Sequence, residues 1–337
     1  MRITNKMLSN SFLSDMKRNL ENMQTLQQQM TSGKELRKPS DNPAKVARAM
    51  QLHTDINANK QYKDNIGDTL NWLDTTDTTL GQAGEVLQKV RVLLESAGNA
   101  AYGSSERKSI KDEVNQRIDE YAQILNTNFD GKYVFGGTRG TEKPLSTELG
   151  GSKNTMLVYS TTDTAEIAKI AQRLTTEISP GVTMDYNVTA KEAVDFKNEK
   201  NEDTNVMELF RAIVSHLDDK PYTSSDTNYA LDSRYNDTIN NDDSKSSLIG
   251  KDLQGVTDAI NNILKKRAEV GAKQNRMESA MEKNEDETFN MTSILSRTED
   301  IDITQKTMEY ATLQTVYMAS LQTSARVLQP TLLDYLR

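Results

Sequence analysis

The two ends of the chain have the apolar spacing of long helices, whereas the middle is polar and contains strand-like pieces. Residues 1–32 and 272–329 contain neither glycine nor proline, as is typical of uninterrupted helices. From Gly131 to Gly255, glycine and threonine recur and apolar runs are short. The pattern predicts a mainly α fold, with an elongated helical bundle formed by both chain ends and a mixed β-containing insert as a central outer domain.

Apolar residues at intervals of three and four predict a one-faced helix at each terminus. Two such helices can pair with each other, but that packing leaves part of each stripe wet. The stripes therefore either pair only within the chain or form an assembly interface with other subunits. The predicted interface consists of Leu13, Met16, Leu20, Met23, Met30, Tyr310, Leu313, Tyr317, Leu321, Leu328 and Leu332.

A seven-residue repeat predicts a second, inner packing seam in the two longer helices. Its positions are Ile66, Leu73, Leu80, Leu87 and Leu94 on one arm, and Val256, Ile263, Val270 and Met277 on the other. The seam is either an intermolecular interface or an intrachain bundle seam, and we favour the intrachain seam because the two arms can serve as partners. Asn284 occupies the next heptad position, where it either fixes the register or faces water.

A domain elbow is predicted between the first two helices. Gly33 can end the first helix in the left-handed conformation, and Pro39 and Pro43 favour an extended connection. Asp41 or Asn42 should cap the second helix, with Pro43 in its first turn.

The middle predicts small β elements and short helices. Tyr133–Phe135 and Leu157–Tyr159 are β-prone, Leu174–Val188 is typical of a hairpin turning at Ser179–Gly181, and Ala165–Ala171 fits either a strand or a helix. Val206–Leu217 predicts a helix, and the very polar segment from Asp218 to Ser247 predicts a long mobile loop.

These elements predict three domains. Residues 1–42 and 300–337 form a terminal helical assembly domain, and residues 43–137 and 250–299 form a coiled-coil-like bundle. Residues 138–249 form a variable, β-rich outer domain.

Composition narrows the possible functions. The chain of 337 residues is only 35% hydrophobic, has a net charge of −8 and contains no cysteine. Helix seams and small cores suit that content better than one thick core. There is no basic patch for nucleic acid, no membrane-length apolar run and no apolar segment typical of a cleaved signal peptide.

The sequence shows no clear set of catalytic, phosphate-binding or metal-binding residues. His53 and His216 are the two histidines, and neither has a second histidine at metal-ligand spacing. Gly136–Gly140 lacks the lysine of a phosphate-binding loop, and the acidic pair Asp242–Asp243 lacks the glycine of a calcium loop. We therefore expect no enzyme activity, no cofactor and no bound metal.

Four motifs in order resemble the flagellin superfamily, and within it the hook–filament junction group known as hook-associated protein 3. The motifs are Ser32-Gly33-Lys34 with Pro39–Ala44, Asn126–Gly137, Arg267–Ala272 with Asn275-Arg276, and the ending Ser324–Arg337. Flagellins usually diverge from the Tyr133–Gly136 pattern. The resemblance covers about two-thirds of the chain and leaves the segment 138–250 largely unmatched.

The resemblance implies a structural role in the bacterial flagellum. A junction protein is exported unfolded by the flagellar type III system without a cleaved signal, and it self-associates as a ring outside the cell. Its implied partners are the preceding hook-associated junction protein, flagellin, and a cytosolic export chaperone that binds the C-terminal helix. Flagellin itself, the bulk filament subunit, is the alternative. An enzyme on the central domain and a secreted translocator are rivals that lack, respectively, a catalytic constellation and a membrane-length segment.

Overall fold

The computed structural model describes residues 5–98, 103–150, 154–198, 200–220, 222 and 248–327. The chain divides into two compact units. The terminal unit comprises residues 1–60 and 285–337, and the central unit comprises residues 61–284. The finer division into three domains stays a prediction.

The fold is mainly helical, as the sequence predicts. The helices are α1 (Asn5–Ser32), α2 (Pro43–Ala97), α3 (Ser104–Leu125), α4 (Thr164–Ile170), α5 (Ala190–Val194), α6 (Val206–Leu217), α7 (Leu253–Glu299) and α8 (Ile303–Val327). A π-helical turn, Leu248–Asp252, leads into α7. The helix predicted at Val206–Leu217 is confirmed as α6, and the ambiguous segment Ala165–Ala171 is mostly helix α4.

The described strands form antiparallel pairs within the central unit. They are β1 (Asn128–Phe129) with β2 (Lys132–Tyr133), β3 (Leu145–Leu149) with β4 (Thr155–Tyr159), β5 (Thr175–Ser179) with β6 (Val182–Asp185), and β7 (Asp195–Lys197) with β8 (Asp203–Asn205). The hairpin predicted at Leu174–Val188 is confirmed, with Pro180 and Gly181 in its turn and Gly181 at φ +72°. Most of the predicted polar loop, 221 and 223–247, lies outside the described residues.

The core of the central unit is built on the heptad face of α2. The five predicted seam residues of α2, from Ile66 to Leu94, are buried, and so is the residue three positions after each of them: Thr69, Thr76, Ala83, Val90 and Ala97. Trp72, Thr79 and Val86 are buried beside these two rows. Helix α7 runs antiparallel to α2 here, since Ile263 lies against Gly84 and Met281 approaches Gly67. The buried face is wider than a two-row coiled-coil seam because the same core cluster also takes side chains from α3, α6 and the hairpins.

The segment after α3 anchors the hairpins to that core. Val134 and Phe135 are fully buried without belonging to a strand, and Phe135 accepts a hydrogen bond from the amide of Ala190 at 2.9 Å. Gly137 has φ +58°, and a Cβ there would lie 2.5 Å from the carbonyl oxygens of Lys169 and Ile170. A glycine is therefore required at this position.

Candidate assembly surface

The terminal helices α1 and α8 pack along each other in the terminal unit. The less exposed residues recur at alternating steps of four and three, which is the spacing of a two-helix seam. On α1 this spacing is followed by Phe12, Met16, Asn19, Met23, Leu26 and Met30, and on α8 by Lys306, Tyr310, Leu313, Tyr317, Ser320 and Ser324. Gln28, Gln29 and Glu309 are also half-buried, beside these rows. Asn19 Nδ2 also donates to the Leu313 carbonyl oxygen at 3.5 Å.

Packing of α1 on α8 therefore half-buries some residues of the predicted assembly stripe and leaves others exposed. Met16, Met23, Met30, Tyr310, Leu313 and Tyr317 are half-buried. Leu13, Leu20 and Leu321 are 48%, 45% and 44% exposed. Leu328 and Leu332 lie outside the described residues. Within the described part of the stripe, the three leucines are the positions most available to another chain.

Further exposed apolar residues lie in the same unit, and the periodicity did not single them out. Of the fifteen large apolar residues that are exposed in the described ranges, eleven belong to the terminal unit. Those beyond the predicted stripe are Met7, Met50, Phe289, Ile294, Ile303, Met308, Val316 and Met318. Except for Ile303, which lies seven residues before Tyr310, they fall off the stripes marked by the spacing, so spacing alone gives little signal for them.

The terminal unit has little buried apolar volume to set against this exposed surface. Its buried apolar residues in the described ranges are Leu26, Leu36, Ala49 and Ile56. All members of the continuous core cluster, from Ile66 to Met277, lie in the central unit. Concentrated exposed apolar surface on a thinly packed unit is typical of a surface that is completed by other molecules.

The start of the elbow, just after α1, pairs with the short connection between α7 and α8 through an antiparallel bridge of Lys34 with Asp300. The Glu35 amide donates to the Glu299 carbonyl oxygen at 2.6 Å, and the Ile301 amide donates to the Gly33 carbonyl oxygen at 3.1 Å. Gly33 has φ +73°, as predicted for the left-handed residue that ends α1. These hydrogen bonds fix the spacing between the segment that follows α1 and the segment that precedes α8.

The carboxylate of Glu299 joins two basic side chains at this elbow. Its Oε1 lies 2.6 Å from Lys34 Nζ, and its Oε2 lies 3.1 Å from His53 Nε2. Burial by itself raises the pKa of Glu299, but the hydrogen bonds from Lys34 and His53 outweigh burial, so the pKa lies below its ordinary value of 4.5. Sequence reasoning missed Glu299, since nothing local marks it among many surface glutamates.

The two predicted capping residues of the elbow, Asp41 and Asn42, accept hydrogen bonds from different backbone amides. Asn42 Oδ1 accepts from the Lys45 amide at 3.2 Å and so caps α2, which starts at Pro43. Asp41 Oδ2 instead accepts from the amides of Lys38 and Arg37, which lower the pKa of Asp41. Pro39 lies in the turn that these hydrogen bonds close.

The structure also places the seam residues and the histidines. All nine predicted seam residues are buried in the central unit. Asn284 is also buried, and within the part of the chain that the structure describes its Oδ1 has no hydrogen-bond partner. His216 Nδ1 lies 2.6 Å from Asp252 Oδ2 in the interior.

The described ranges also bear on metal binding and on membrane insertion. They contain no cluster of three or more side chains suited to holding a metal ion. No helix in them is both long enough and apolar enough to cross a membrane.

Comparison with known families matches both ends of the chain. Residues 3–139 match the model of the bacterial flagellin N-terminal helical region, and residues 253–336 match that of the bacterial flagellin C-terminal helical region. Together the two matches span well over half of the sequence.

Individual relatives are distant but extend over nearly the whole chain. Flagellin of Clostridium tyrobutyricum is 24% identical, covering 92% of this chain and 94% of its own. Flagellar hook-associated protein 3 of Escherichia coli K12 is 21% identical, covering 87% and 86%. The crystal structure of hook-associated protein 3 from Legionella pneumophila aligns with a TM-score of 0.55 at 14% identity, over 74% of this chain and 98% of its own, which shows a shared fold.

Proposed function

Because this chain belongs to the flagellin family, we propose that it is a structural subunit of the bacterial flagellum that forms the junction between hook and filament. Flagellin-family relatives are structural proteins rather than enzymes. The observation that carries the proposal is the exposed apolar surface concentrated on the terminal unit. A subunit that polymerises must keep such a surface free until it meets its neighbours.

The junction role is favoured over bulk filament by two features. The fold shared with hook-associated protein 3 extends over 98% of that solved chain. The Tyr133–Gly136 pattern, from which flagellins usually diverge, forms the buried anchor of the hairpins in the central unit. Both features support a central unit built like that of a junction protein.

Flagellin remains the second candidate, since the Clostridium tyrobutyricum flagellin is as similar in sequence as the hook-associated relatives. Immunogold labelling of isolated flagella separates the two. Label at one point between hook and filament is expected from the junction role. Label along the whole filament would overturn it and establish the filament role.

The proposed partners follow from that position. Copies of this chain contact each other in a ring, the preceding hook-associated junction protein lies on one side, and flagellin lies on the other. The subunit reaches its extracellular site unfolded through the flagellar type III export system. A cytosolic chaperone covers the C-terminal helix before export.

The assembly surface can be tested without disturbing the fold. Leu13→Asp with Leu20→Asp places two carboxylates on the exposed side of α1. Surface substitutions usually change the free energy of unfolding by less than about 0.5 kcal/mol. We therefore expect a folded, secreted protein that no longer attaches filaments, because an unpaired carboxylate in an apolar interface costs several kcal/mol.

Two control variants define the result. Val92→Asp changes an exposed apolar residue of the central unit and should leave filament attachment intact. Leu26→Asp, at the buried position of the α1 seam, should instead lower the melting temperature. Secretion is measured for every variant, because loss of export would mimic loss of assembly. Normal filaments in the double variant would show that this side of α1 is not the assembly surface.

A further inference from the structure

Within the described ranges, the exposed methionines are confined to the terminal unit. Met7, Met50, Met308 and Met318 are 66%, 64%, 62% and 55% exposed. They are four of the eleven large apolar residues that this unit exposes in those ranges. The chain has 14 methionines and no cysteine, so the thioether of methionine is its only sulfur group.

The central unit covers its methionines. Met184 is only 7% exposed, and Met207 and Met277 are fully buried. Met156 and Met281 are half-buried. A thioether inside a close-packed core is shielded from dissolved oxidants, whereas an exposed thioether is open to them. The protein therefore carries an accessible and a shielded class of methionine, divided between its two units.

We propose that the four exposed methionines are oxidation sites, at which hydrogen peroxide prevents the terminal unit from assembling. The sulfur attacks one oxygen of the peroxide and the O–O bond breaks. That oxygen becomes the sulfoxide oxygen, and the other leaves as water with both hydrogens. The sulfur gives up the two electrons that the peroxide gains. A flexible apolar side chain is thereby replaced by a polar, chiral one.

The consequence for assembly follows from where the sulfoxides form. On the free subunit, an exposed sulfoxide keeps its water and changes the stability of the fold little. An interface that covers the same side chain must remove that water, and burying an unpaired polar group is costly. This consequence rests on the proposed function, whereas the choice of oxidation sites rests on exposure alone.

The oxidation sites are tested on the purified full-length protein. It is treated with hydrogen peroxide, the reaction is stopped with catalase, and each methionine is followed by peptide mass spectrometry. The four exposed methionines should take up oxygen at least about tenfold faster than the three buried ones of the central unit, because exposure controls access. The melting temperature should stay unchanged. Similar rates for both classes would overturn the proposed sites.

A sulfoxide mimic tests assembly without any oxidant. Met308→Gln with Met318→Gln places two polar side chains of similar length on α8. Secretion and melting temperature should be normal, but filament-bearing cells should fall about tenfold or more, since an unpaired polar group weakens an interface by about that factor. Normal filaments in this variant would overturn the proposal.

Two control variants accompany the mimic. Met308→Leu with Met318→Leu keeps both positions apolar and should attach filaments normally. Leu264→Gln changes a residue of the central unit that is 55% exposed, as Met318 is, and should also attach filaments normally. If Leu264→Gln lost filaments as the mimic does, the effect would not belong to the exposed methionines.

The last experiment uses peroxide in living cells. A variant with leucine at all four exposed methionines should keep its filaments in sublethal hydrogen peroxide, whereas the wild type should lose them and shed flagellin. Met184→Leu, which removes a shielded sulfur, should be as sensitive as the wild type. Peroxide also reaches every other flagellar protein in each strain, so the comparison isolates the four methionines. Equal loss or equal retention of filaments in the wild type and the four-leucine variant would overturn the proposal. Neither result alters the junction role, which depends on where the unoxidised protein localises on the flagellum.

Discussion

At the residue scale, the central core contains polar groups whose burial is not offset by hydrogen bonds. Tyr121 is fully buried on α3 and packs edge-on against Phe210 at 5.6 Å, yet its hydroxyl has no hydrogen-bond partner among the described residues. Burial raises the pKa of Tyr121, so the hydroxyl stays protonated and uncharged. The ring contributes packing, whereas the hydroxyl contributes a desolvation cost.

Tyr121→Phe should therefore keep or raise the stability of the protein. Removing an unsatisfied buried hydroxyl recovers about 1 kcal/mol or somewhat more of desolvation cost. The free energy of unfolding in urea measures the change. Tyr121→Ala is the comparison and should lose about 3–5 kcal/mol through the cavity it leaves. Clear destabilisation of the phenylalanine variant would mean that the hydroxyl has a partner.

At the scale of elements, the elbow and the heptad seam stabilise the helices by different means. The elbow relies on backbone hydrogen bonds and one carboxylate, all at the surface of the terminal unit. The seam relies on buried apolar volume from α2 and α7. We expect the first to respond to pH and the second to respond to side-chain size.

Acid should loosen the elbow through Glu299. Its folded-state pKa is lowered, so its contribution is present above the ordinary pKa of 4.5 and is lost as the pH falls through the folded value. Glu299→Gln should remove that contribution at neutral pH. Lys34 is partly exposed, so the effect is about 1 kcal/mol or less.

Hydrogen exchange of the Glu35 and Ile301 amides reports this loosening directly. Exchange should speed up in Glu299→Gln and in the acidified wild type. Glu35→Gln is the matched control, because its ion pair with Lys45 is exposed on both sides and contributes little. The same exchange rates in both variants would show that the Glu299 carboxylate does not hold the elbow.

The seam should behave as core. Leu80→Ala or Leu87→Ala removes a fully buried side chain and should cost about 2–5 kcal/mol. Val92→Ala on the same helix is exposed and should cost less than about 0.5 kcal/mol. Thermal or urea denaturation compares them. A shift in the leucine variants no larger than that of Val92→Ala would refute a core seam.

At the scale of the whole molecule, apolar burial is distributed unevenly between the two units. The continuous core lies in the central unit, and the terminal unit combines few buried apolar residues with most of the exposed ones. Lone helix pairs of this kind are marginal in water. The terminal unit should therefore be the less stable part of an isolated subunit.

Limited proteolysis tests this difference. Both ends should be trimmed from the monomer, leaving a core that starts near residues 40–50 and ends near residues 295–305. Incorporation into flagella should protect both ends, because assembly covers their apolar surface. If both ends of the free monomer resisted cleavage as well as they do in flagella, the terminal unit would not need assembly to complete it.

Local spacing by itself determined which helix faces are apolar and where several turns lie. The seven-residue repeat on α2 marks residues that prove to be buried, because a helix returns to the same face every two turns. The left-handed Gly33 and the hairpin turn at Pro180 and Gly181 follow from backbone freedoms encoded by single residues.

Only the tertiary structure decided what covers each apolar face. The α1 stripe is wider than one partner helix can cover, so α8 shields Met16 and Met23 while Leu13 and Leu20 stay exposed. The pairing of Lys34 with Glu299 and the contact of Trp72 with Tyr186 join residues that are far apart in the chain. Periodicity specifies the direction of a side chain from its own helix axis, whereas its neighbours depend on long-range packing that local spacing does not encode.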